Sequence, residues 1–278
     1  MAEVSQGSEM SERERTATNG VGHSISVADL HKTYDTRDGK VDAVRGATFD
    51  VQAGEFVSLV GPSGCGKSTI LQICAGLVPP TSGTVQVGGV QARPGRREIG
   101  IMFQAPVLLP WRSVSANVLL PTEIFGMDKE PARKRALELL DLVGLKGFED
   151  KQPWELSGGM QQRASLARVL VADPDILLMD EPFSALDEFT RERLNLELAN
   201  IHETFGRTVL YVTHNIEEAV FLSDLLVVMK PHPGEILDIV ETGLPRPRKL
   251  GVLQEASTIE LVIKIRQMLF GHGPDDEA

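Results

Sequence analysis

The sequence predicts an α/β fold, with a mainly parallel sheet flanked by helices. Short apolar runs of strand length alternate with helical stretches, such as residues 189–205, along most of the chain. Strands that alternate with helices pair in parallel, because each helix carries the chain back across the sheet. The length of 278 residues allows one large domain or two small ones, with enough core to fold unaided.

Nine short runs have the apolar content or the alternation of strands. They comprise residues 25–30, 47–51, 56–60, 84–87, 99–103, 176–179, 209–213, 225–229 and 236–240. From about residue 105 to 172 the pattern becomes helical, and within it the stretch 131–143 carries Leu137, Leu140 and Val143 at helical spacing. This part of the chain predicts a helical subdomain inserted into the sheet domain.

The two ends of the chain differ from its middle. Residues 1–22 predict a disordered tail, because they are rich in Ser, Thr, Glu and Gly and carry few large apolar side chains. Residues 246–278 predict a C-terminal extension. Pro245 and Pro247 interrupt the chain where the extension begins, and an amphipathic helix is expected over 259–270. One stripe of that helix is expected to comprise Ile259, Val262, Ile263 and Arg266.

Composition and charge exclude several classes of protein. A net charge of −11 disfavours a protein that neutralises nucleic-acid phosphates, and it disfavours direct adsorption on anionic lipid. The first 19 residues are polar and carry no apolar core, so they do not resemble a secretory signal. No apolar run approaches the roughly 18 residues of a membrane span. A cytosolic chain is expected, with Cys65 and Cys74 as reduced packing residues.

A glycine-rich loop follows the apolar run 56–60 and fits the pattern G-x-x-x-x-G-K-[ST]. Glycines leave the backbone unscreened, so successive N–H groups can converge on phosphate oxygens at the start of a helix. Lys67 would reach the β- and γ-phosphates of a nucleotide, and Ser68 would hold Mg²⁺. The predicted phosphate-binding residues are Gly61, Pro62, Ser63, Gly64, Cys65, Gly66, Lys67, Ser68 and Thr69.

The apolar run 176–179 ends in two carboxylates, Asp180 and Glu181. Continuous hydrophobic residues indicate a strand buried on both faces, and ligands of open α/β sheets gather at the carboxyl ends of such strands. Asp180 is therefore expected to hold Mg²⁺ beside Ser68, directly or through water. Glu181 is expected to act on the attacking water as a general base. Without Lys67 upstream, the pair would equally suit a strand end with solvated acids.

A second anion site is predicted at the segment Leu156-Ser157-Gly158-Gly159-Met160-Gln161. Ser157 can cap a helix that runs to about Ala172, and the two glycines allow close backbone approach. The start of that helix therefore offers free N–H groups to a second phosphate. A capped helix alone would explain Ser-Gly-Gly, but not a second phosphate-type site in one chain.

With these motifs, over about residues 25–240, the chain resembles the ATP-binding subunit of an ATP-binding cassette (ABC) transporter. The resemblance implies a P-loop NTPase-type fold with an N-terminal antiparallel β part, and an ATPase domain over 23–245 with the helical subdomain at about 105–172. In that family L-S-G-G-x-Q binds the γ-phosphate of ATP held by the opposite subunit. A homodimer, or a paralogous pair, that sandwiches two ATP molecules is therefore implied. The residues acting across it would be Ser157, Gly158, Gly159 and Gln161.

The same resemblance assigns four further residues. Gln104 matches the glutamine that contacts Mg²⁺ and the attacking water, and His214 matches the histidine that hydrogen-bonds the γ-phosphate. Asp187, which ends Ser-Ala-Leu-Asp, matches the loop that contacts the partner subunit. Tyr34 stands where the family stacks an aromatic ring on adenine. Taken singly, Gln104 would suit a polar loop residue, His214 a surface or capping histidine, and Tyr34 an aromatic at the edge of the core.

Three short segments resemble the nitrate, sulfonate and taurine import group. They are residues 108–114, with Leu-Leu-Pro-Trp-Arg, and residues 233–236 and 244–248. The resemblance implies import of a small anionic solute, with permease subunits, an extracytoplasmic solute-binding protein acting indirectly, and a peripheral location on the cytoplasmic face of the membrane. Trp111 would anchor the permease; its alternative is a core position in the helical insert.

A soluble ABC ATPase that acts on DNA or ribosomes is the alternative function. Only 52 positions separate Gln104 from Leu156, too few for a long coiled coil between them, and the chain has one cassette. The acidic charge also disfavours a nucleic-acid partner. An ATP-dependent kinase would leave the segment 156–163 unexplained.

Overall fold

Ten strands form two sheets in the residues that the computed structural model describes, 23–37, 39–184 and 186–271. The predicted tail, 1–22, and the last residues of the predicted extension, 272–278, lie outside the described ranges. The predicted α/β class is confirmed, with one antiparallel sheet and one largely parallel sheet flanked by helices.

The antiparallel sheet has the order β2-β1-β4-β5. Its strands are β1 (Ile25–Thr36), β2 (Gly39–Val51), β4 (Ser82–Val87) and β5 (Val90–Gln91). β1 and β2 are much longer than the predicted runs 25–30 and 47–51, because their ladder continues through polar and half-exposed residues as far as Thr36 and Gly39. The apolar pattern marks only the part of this ladder that faces the core.

The second sheet has the order β10-β9-β3-β8-β7-β6, and every pair is parallel except the edge pair β10–β9. Its strands are β3 (Phe56–Val60), β6 (Ile99–Met102), β7 (Ile176–Asp180), β8 (Thr208–Thr213), β9 (Leu225–Lys230) and β10 (Glu235–Glu241). β3 and β8 are buried along their whole length, as expected of central strands covered on both faces. The carboxyl ends of β3, β8 and β7 therefore lie side by side at one edge of the sheet.

Seven α-helices complete the described ranges. They are α1 (Lys67–Cys74), α2 (Val114–Ile124), α3 (Lys129–Leu142), α4 (Gly158–Val171), α5 (Glu188–Phe205), α6 (Ile216–Leu222) and α7 (Ala256–Phe270). α2, α3 and α4 pack on one another and form the helical part of the insert. In the described ranges, no helix has the length and apolarity that a membrane crossing requires.

The helical pattern predicted from about residue 105 is wrong for its first nine residues. Residues 105–113 form an irregular loop, and α2 begins only after Ser113, whose hydroxyl accepts a hydrogen bond from the N–H of Ala116. Pro106 and Pro110 explain the difference, because each lacks the N–H that a helix interior needs.

The predicted stripe of the C-terminal helix is buried only at Val262. α7 buries Thr258, Val262 and Ile265 against α6 and β9, whereas Ile259 and Ile263 are each 47% exposed. The helix itself was predicted correctly, but its orientation on the sheet depends on contacts that are distant in sequence. Both cysteines are free and buried, as expected.

The end of α5 packs His202 against the first residues of β3. Its ring meets the ring of Phe56 edge-on at a centroid distance of 5.3 Å, and Nε2 lies 3.0 Å from the carbonyl oxygen of Gly54. Burial lowers the pKa of His202 to about 4, and the guanidinium of Arg246 contributes to the lowering. The imidazole is therefore neutral in the folded protein at neutral pH.

We expect acid to destabilise the fold through His202. Its pKa is about 4 when folded against 6.5 when unfolded, so the unfolded state binds more protons between these values and the free energy of unfolding falls as the pH drops through them. Protonation of this group should lower the free energy of unfolding by about 3 kcal/mol at pH 4 relative to neutral pH. Denaturant titrations at several pH values measure this loss, and His202→Gln should flatten the profile. A parental profile in His202→Gln would contradict the assignment.

Candidate phosphate-binding site

The glycine-rich loop lies between the carboxyl end of β3 and the start of α1, as its sequence predicts. A Cβ on Gly61 would lie 2.4 Å from the carbonyl oxygen of Met229, and a Cβ on Gly66 would lie 2.5 Å from that of Ala43. Gly66 also has a φ of +89°, which favours glycine. Both glycines are therefore required by close backbone contacts with neighbouring strands.

Lys67 has a buried ammonium group inside this loop. Its Nζ donates to the carbonyl oxygens of Gly61, at 2.7 Å, and of Pro62, at 2.9 Å. Lys67 is only 4% exposed, and within the described ranges no carboxylate forms an ion pair with it. Burying a cation without an ion-paired carboxylate is costly, so this site favours an anion.

A cavity of about 330 Å³ opens beside Lys67. It joins the loop to residues that are distant in sequence, and its lining comprises Ala43, Ser63, Gly64, Cys65, Gly66, Lys67, Ser68, Thr69, Gln104 and Glu181. The fold therefore brings two of the predicted hydrolysis residues, Gln104 and Glu181, to the predicted phosphate loop. Gln104 also points towards Ser184, with Nε2 3.5 Å from its hydroxyl.

Ser68 and Asp180 meet at the edge of this site. The Ser68 hydroxyl donates to Oδ1 of Asp180 at 2.8 Å. Burial raises the pKa of the Asp180 carboxyl, and the carboxylate of Glu181 adds to the rise. A nearby cation would favour the ionised form of this carboxyl.

Glu181 and His214 form the second polar pair of the site. His214 Nδ1 lies 3.1 Å from Oε2 of Glu181, at the adjacent ends of β7 and β8. Glu181 adopts a φ of +44°, an uncommon conformation for a residue with a side chain, and its N–H donates to the carbonyl of Val212. The fold therefore holds this carboxylate in a defined position at the cavity.

His214 stands on a turn that is held by Glu218, a residue that sequence reasoning missed. The Thr213 hydroxyl donates to Glu218, and the N–H of Asn215 donates to the Thr213 hydroxyl at 3.0 Å. Asn215 caps α6 through a 3.0 Å bond from the Glu218 N–H. An acid three residues after an Asn cap is a helix-start pattern that could have indicated this role.

The second predicted anion site lies at the start of α4. Ser157 caps this helix, accepting a 3.3 Å bond from the N–H of Met160, as predicted. Gln161 uses its amide on its own loop, donating to the carbonyls of Pro153 and Leu156 at 3.0 and 3.3 Å. Gly159 lies against the loop before α5, where a Cβ would be 3.2 Å from a methyl carbon of Leu186.

The single chain does not bring this second site to the phosphate loop. The described residues that line the cavity do not include Ser157, Gly158, Gly159, Gln161 or Asp187. Asp187 is exposed at the start of α5, where its carboxylate accepts a 3.0 Å bond from the N–H of Thr190.

Tyr34 also lies outside the described lining of the cavity. It is half-buried on β1, with Lys32 Nζ 4.8 Å from the centre of its ring. The ammonium of Lys32 therefore already lies over one face of the Tyr34 ring. The stacking of adenine on this ring stays a prediction.

Gln162, a second residue that sequence reasoning missed, connects three parts of the site. It lies on α4 and is 2% exposed. Its Nε2 donates at 2.7 Å both to the carbonyl of Gln104 and to the carbonyl of Pro182, next to Glu181. The helix that Ser157 caps is thereby bonded to the backbone of the two loops that carry Gln104 and Glu181. No local pattern marks this residue, because its partners are distant in sequence.

Comparison with known proteins finds one matching family model and several similar proteins. The family model described as ABC transporter matches residues 44–184. A taurine import ATP-binding protein of Yersinia pestis is 43% identical over 214 residues, which cover 77% of this chain and 82% of that one. An aliphatic sulfonates import ATP-binding protein of Bacillus cereus is 40% identical over 225 residues, 81% of this chain and 88% of that one.

Among solved structures, a dimeric ATP-binding cassette in a post-hydrolysis state, bound to ADP and Pi, is similar with a TM-score of 0.72. It is 34% identical and covers 80% of this chain and all of that chain. A protein from Clostridium perfringens, described as part of an ABC transporter complex, has a TM-score of 0.70 at 27% identity, over 86% of this chain and 93% of that one.

We expect Gln162→Leu to lower the free energy of unfolding by about 1–3 kcal/mol, because the buried carbonyl of Pro182 and the partly buried carbonyl of Gln104 both lose their donor. Gln267→Leu, at an exposed position of α7, is the matched control and should change it by no more than about 0.5 kcal/mol. Denaturant titration of both variants measures the difference. Equal effects in the two variants would show that the bonds of Gln162 contribute little.

Proposed function

The chain is an ATP-hydrolysing member of the ABC transporter family, and we propose that two copies close around two Mg-ATP molecules to drive import of a small anionic solute through permease subunits. The main support for a nucleotide site is the buried ammonium of Lys67, which forms no ion pair with a carboxylate in the described ranges. Lys67 and Glu181 line the same cavity. The named import functions of the taurine and sulfonate relatives support the transport role.

The phosphates of ATP would occupy the cavity beside Lys67. There the loop, from Gly61 to Thr69, would surround them with backbone N–H groups, and the start of α1 would add its positive end. Lys67 would exchange its bonds to the two loop carbonyls for bonds to the β- and γ-phosphates. A charge-assisted bond to phosphate is stronger than a bond to a carbonyl, so binding would be favourable.

Mg²⁺ fits the donor set beside the phosphates. Oxygen ligands are those that this ion prefers, and it is usually held by few protein groups together with substrate phosphates. Ser68 and Asp180, already 2.8 Å apart, would hold it, with Gln104 as a further oxygen donor. The ion would neutralise charge on the phosphate oxygens, and it would remove the energetic cost of the buried Asp180 carboxylate.

Glu181 would act as the general base of hydrolysis. Its carboxylate lines the cavity and would take a proton from the water that attacks the γ-phosphorus, while the bond to the leaving ADP breaks. His214, 3.1 Å from Glu181, would orient this carboxylate and donate to the γ-phosphate. Gln104 would position the attacking water. Tyr34 would stack on the adenine, as expected from the family resemblance.

The second copy would complete each site. Ser157 and Gly158, with open space where a Cβ on Gly158 would lie, are free to approach the γ-phosphate of ATP on the facing chain. Gly159 and Gln161 would shape that loop, and exposed Asp187 would contact the facing chain. The dimeric cassette with ADP and Pi supports this arrangement.

The permease subunit would dock in an apolar groove between β6 and α2. This cavity of about 430 Å³ has apolar walls that include Ile101, Phe103, Val107, Leu120, Ile124 and Phe125. Arginines also line it, namely Arg93, Arg96, Arg97 and Arg168. Such a surface suits a short amphipathic helix with acidic residues.

Trp111 lies two residues beyond Leu109, which lines this groove, and is 73% exposed. The alternative that Trp111 is a core residue of the insert is therefore wrong, and it would anchor the permease. Through this contact the chain would be held at the cytoplasmic face of the membrane, where an extracytoplasmic solute-binding protein delivers the solute to the permease from the other side.

We expect Glu181→Gln to bind Mg-ATP with the parental dissociation constant but to hydrolyse it at least about 100-fold more slowly, because an amide cannot accept the proton of water. Glu192→Gln, at an exposed position on α5, should keep the parental rate. Phosphate release and nucleotide titration measure the two quantities. Parental turnover by Glu181→Gln would remove the proposed base, and absence of hydrolysis in the parental protein would refute the proposed function.

A further inference from the structure

The turn between β9 and β10 lies directly against the phosphate loop. It includes Pro233 and Gly234, a pair that the sequence marks but that the proposed function does not use. A Cβ on Gly234 would lie 2.2 Å from the carbonyl oxygen of Cys65, in the middle of the loop, and 2.6 Å from the carbonyl oxygen of Ala43. Both contacts are to backbone, so no flexible side chain could move aside.

Gly234 is also hydrogen-bonded to β2. Its N–H donates to the carbonyl of Ala43 at 3.2 Å, and its own carbonyl accepts from the N–H of Arg45 at 2.9 Å. These two bonds make a parallel bridge between Val44 and Gly234. The turn therefore has a defined position on β2, and Ala43 itself lines the phosphate cavity.

The same hairpin touches the phosphate loop at a second point. The carbonyl oxygen of Met229, on β9, would lie 2.4 Å from a Cβ on Gly61, at the start of the loop. On the other side, the carbonyl of Ala43 would lie 2.5 Å from a Cβ on Gly66. The loop is therefore held between β2 and the β9–β10 hairpin by contacts of backbone on backbone.

We propose that Gly234 is a positioning residue for the phosphate loop: the absence of its side chain allows the hairpin and β2 together to set where Cys65 and the neighbouring N–H groups lie. The inference rests on the proposed function, because it concerns the binding of ATP by that loop. An added methyl group would force the Cys65 carbonyl away by about 1 Å to reach ordinary van der Waals contact, and such a displacement is large for a preorganised site.

The test compares Gly234→Ala with Gly251→Ala. Gly251 has open space around a Cβ and no positive φ, so it controls for the replacement of glycine by alanine. We expect Gly234→Ala to raise the KM and the dissociation constant for Mg-ATP about 10- to 100-fold. The kcat at saturating ATP should stay within about threefold, because Glu181 and His214 stand at the ends of β7 and β8 rather than on the loop.

A parental dissociation constant in Gly234→Ala, or an equal loss in Gly251→Ala, would overturn the inference while leaving the proposed function intact. Failure of the parental chain to bind Mg-ATP would instead refute the proposed function, and the inference with it. A second measurement needs no variant: Mg-ATP should slow hydrogen exchange at the N–H groups of Gly234 and Arg45, since coupling between sites is reciprocal. Unchanged exchange at both groups would overturn the inference even if Gly234→Ala fails to fold.

Discussion

The buried ammonium of Lys67 is the feature on which the site depends. Its position follows from the packing of a loop whose glycines touch the backbone of β2 and β9, so that no other residue type fits at Gly61 or Gly66. Its only bonds to oxygen in the described ranges are to two carbonyls of the loop. A phosphate would stabilise this ammonium group more than the two loop carbonyls do. The cavity beside Lys67 provides space for that phosphate.

The parallel sheet explains why the other polar groups are close. Because β3, β8 and β7 are adjacent and parallel, the residues that follow them meet at one edge: the loop after β3, His214 after β8, and Glu181 after β7. Ser68 reaches Asp180 across this edge. The start of α4 lies outside this cluster, yet Gln162 on the same helix donates hydrogen bonds to the backbone of the loops that carry Gln104 and Glu181.

Much of this could be predicted from the sequence, because the informative patterns are local. The run 56–60 coincides with β3, and Ser157 caps α4 as its spacing indicates. Prolines with no N–H explain why the predicted helix over 105–113 is absent, and that information was in the sequence. The roles of the predicted site residues remain proposals, although the fold places Gln104 and Glu181 together at the phosphate loop.

What could not be predicted depends on contacts between distant segments. The buried face of α7 is chosen by α6 and β9, so Ile265 is buried while Ile259 is exposed. Gln162 and Gly234 act through backbone carbonyls about 20 to 190 positions away, and no spacing rule connects them to their partners.

The most direct test of the account is the mass in solution of Glu181→Gln with and without Mg-ATP, measured by light scattering during size-exclusion chromatography. Because each chain carries the phosphate loop and the Ser157 loop in separate places, we expect twice the mass of one chain with Mg-ATP and the mass of one chain without it. Lys67→Ala in the same background should remain a monomer in both conditions. A single-chain mass for Glu181→Gln at saturating Mg-ATP would contradict the account.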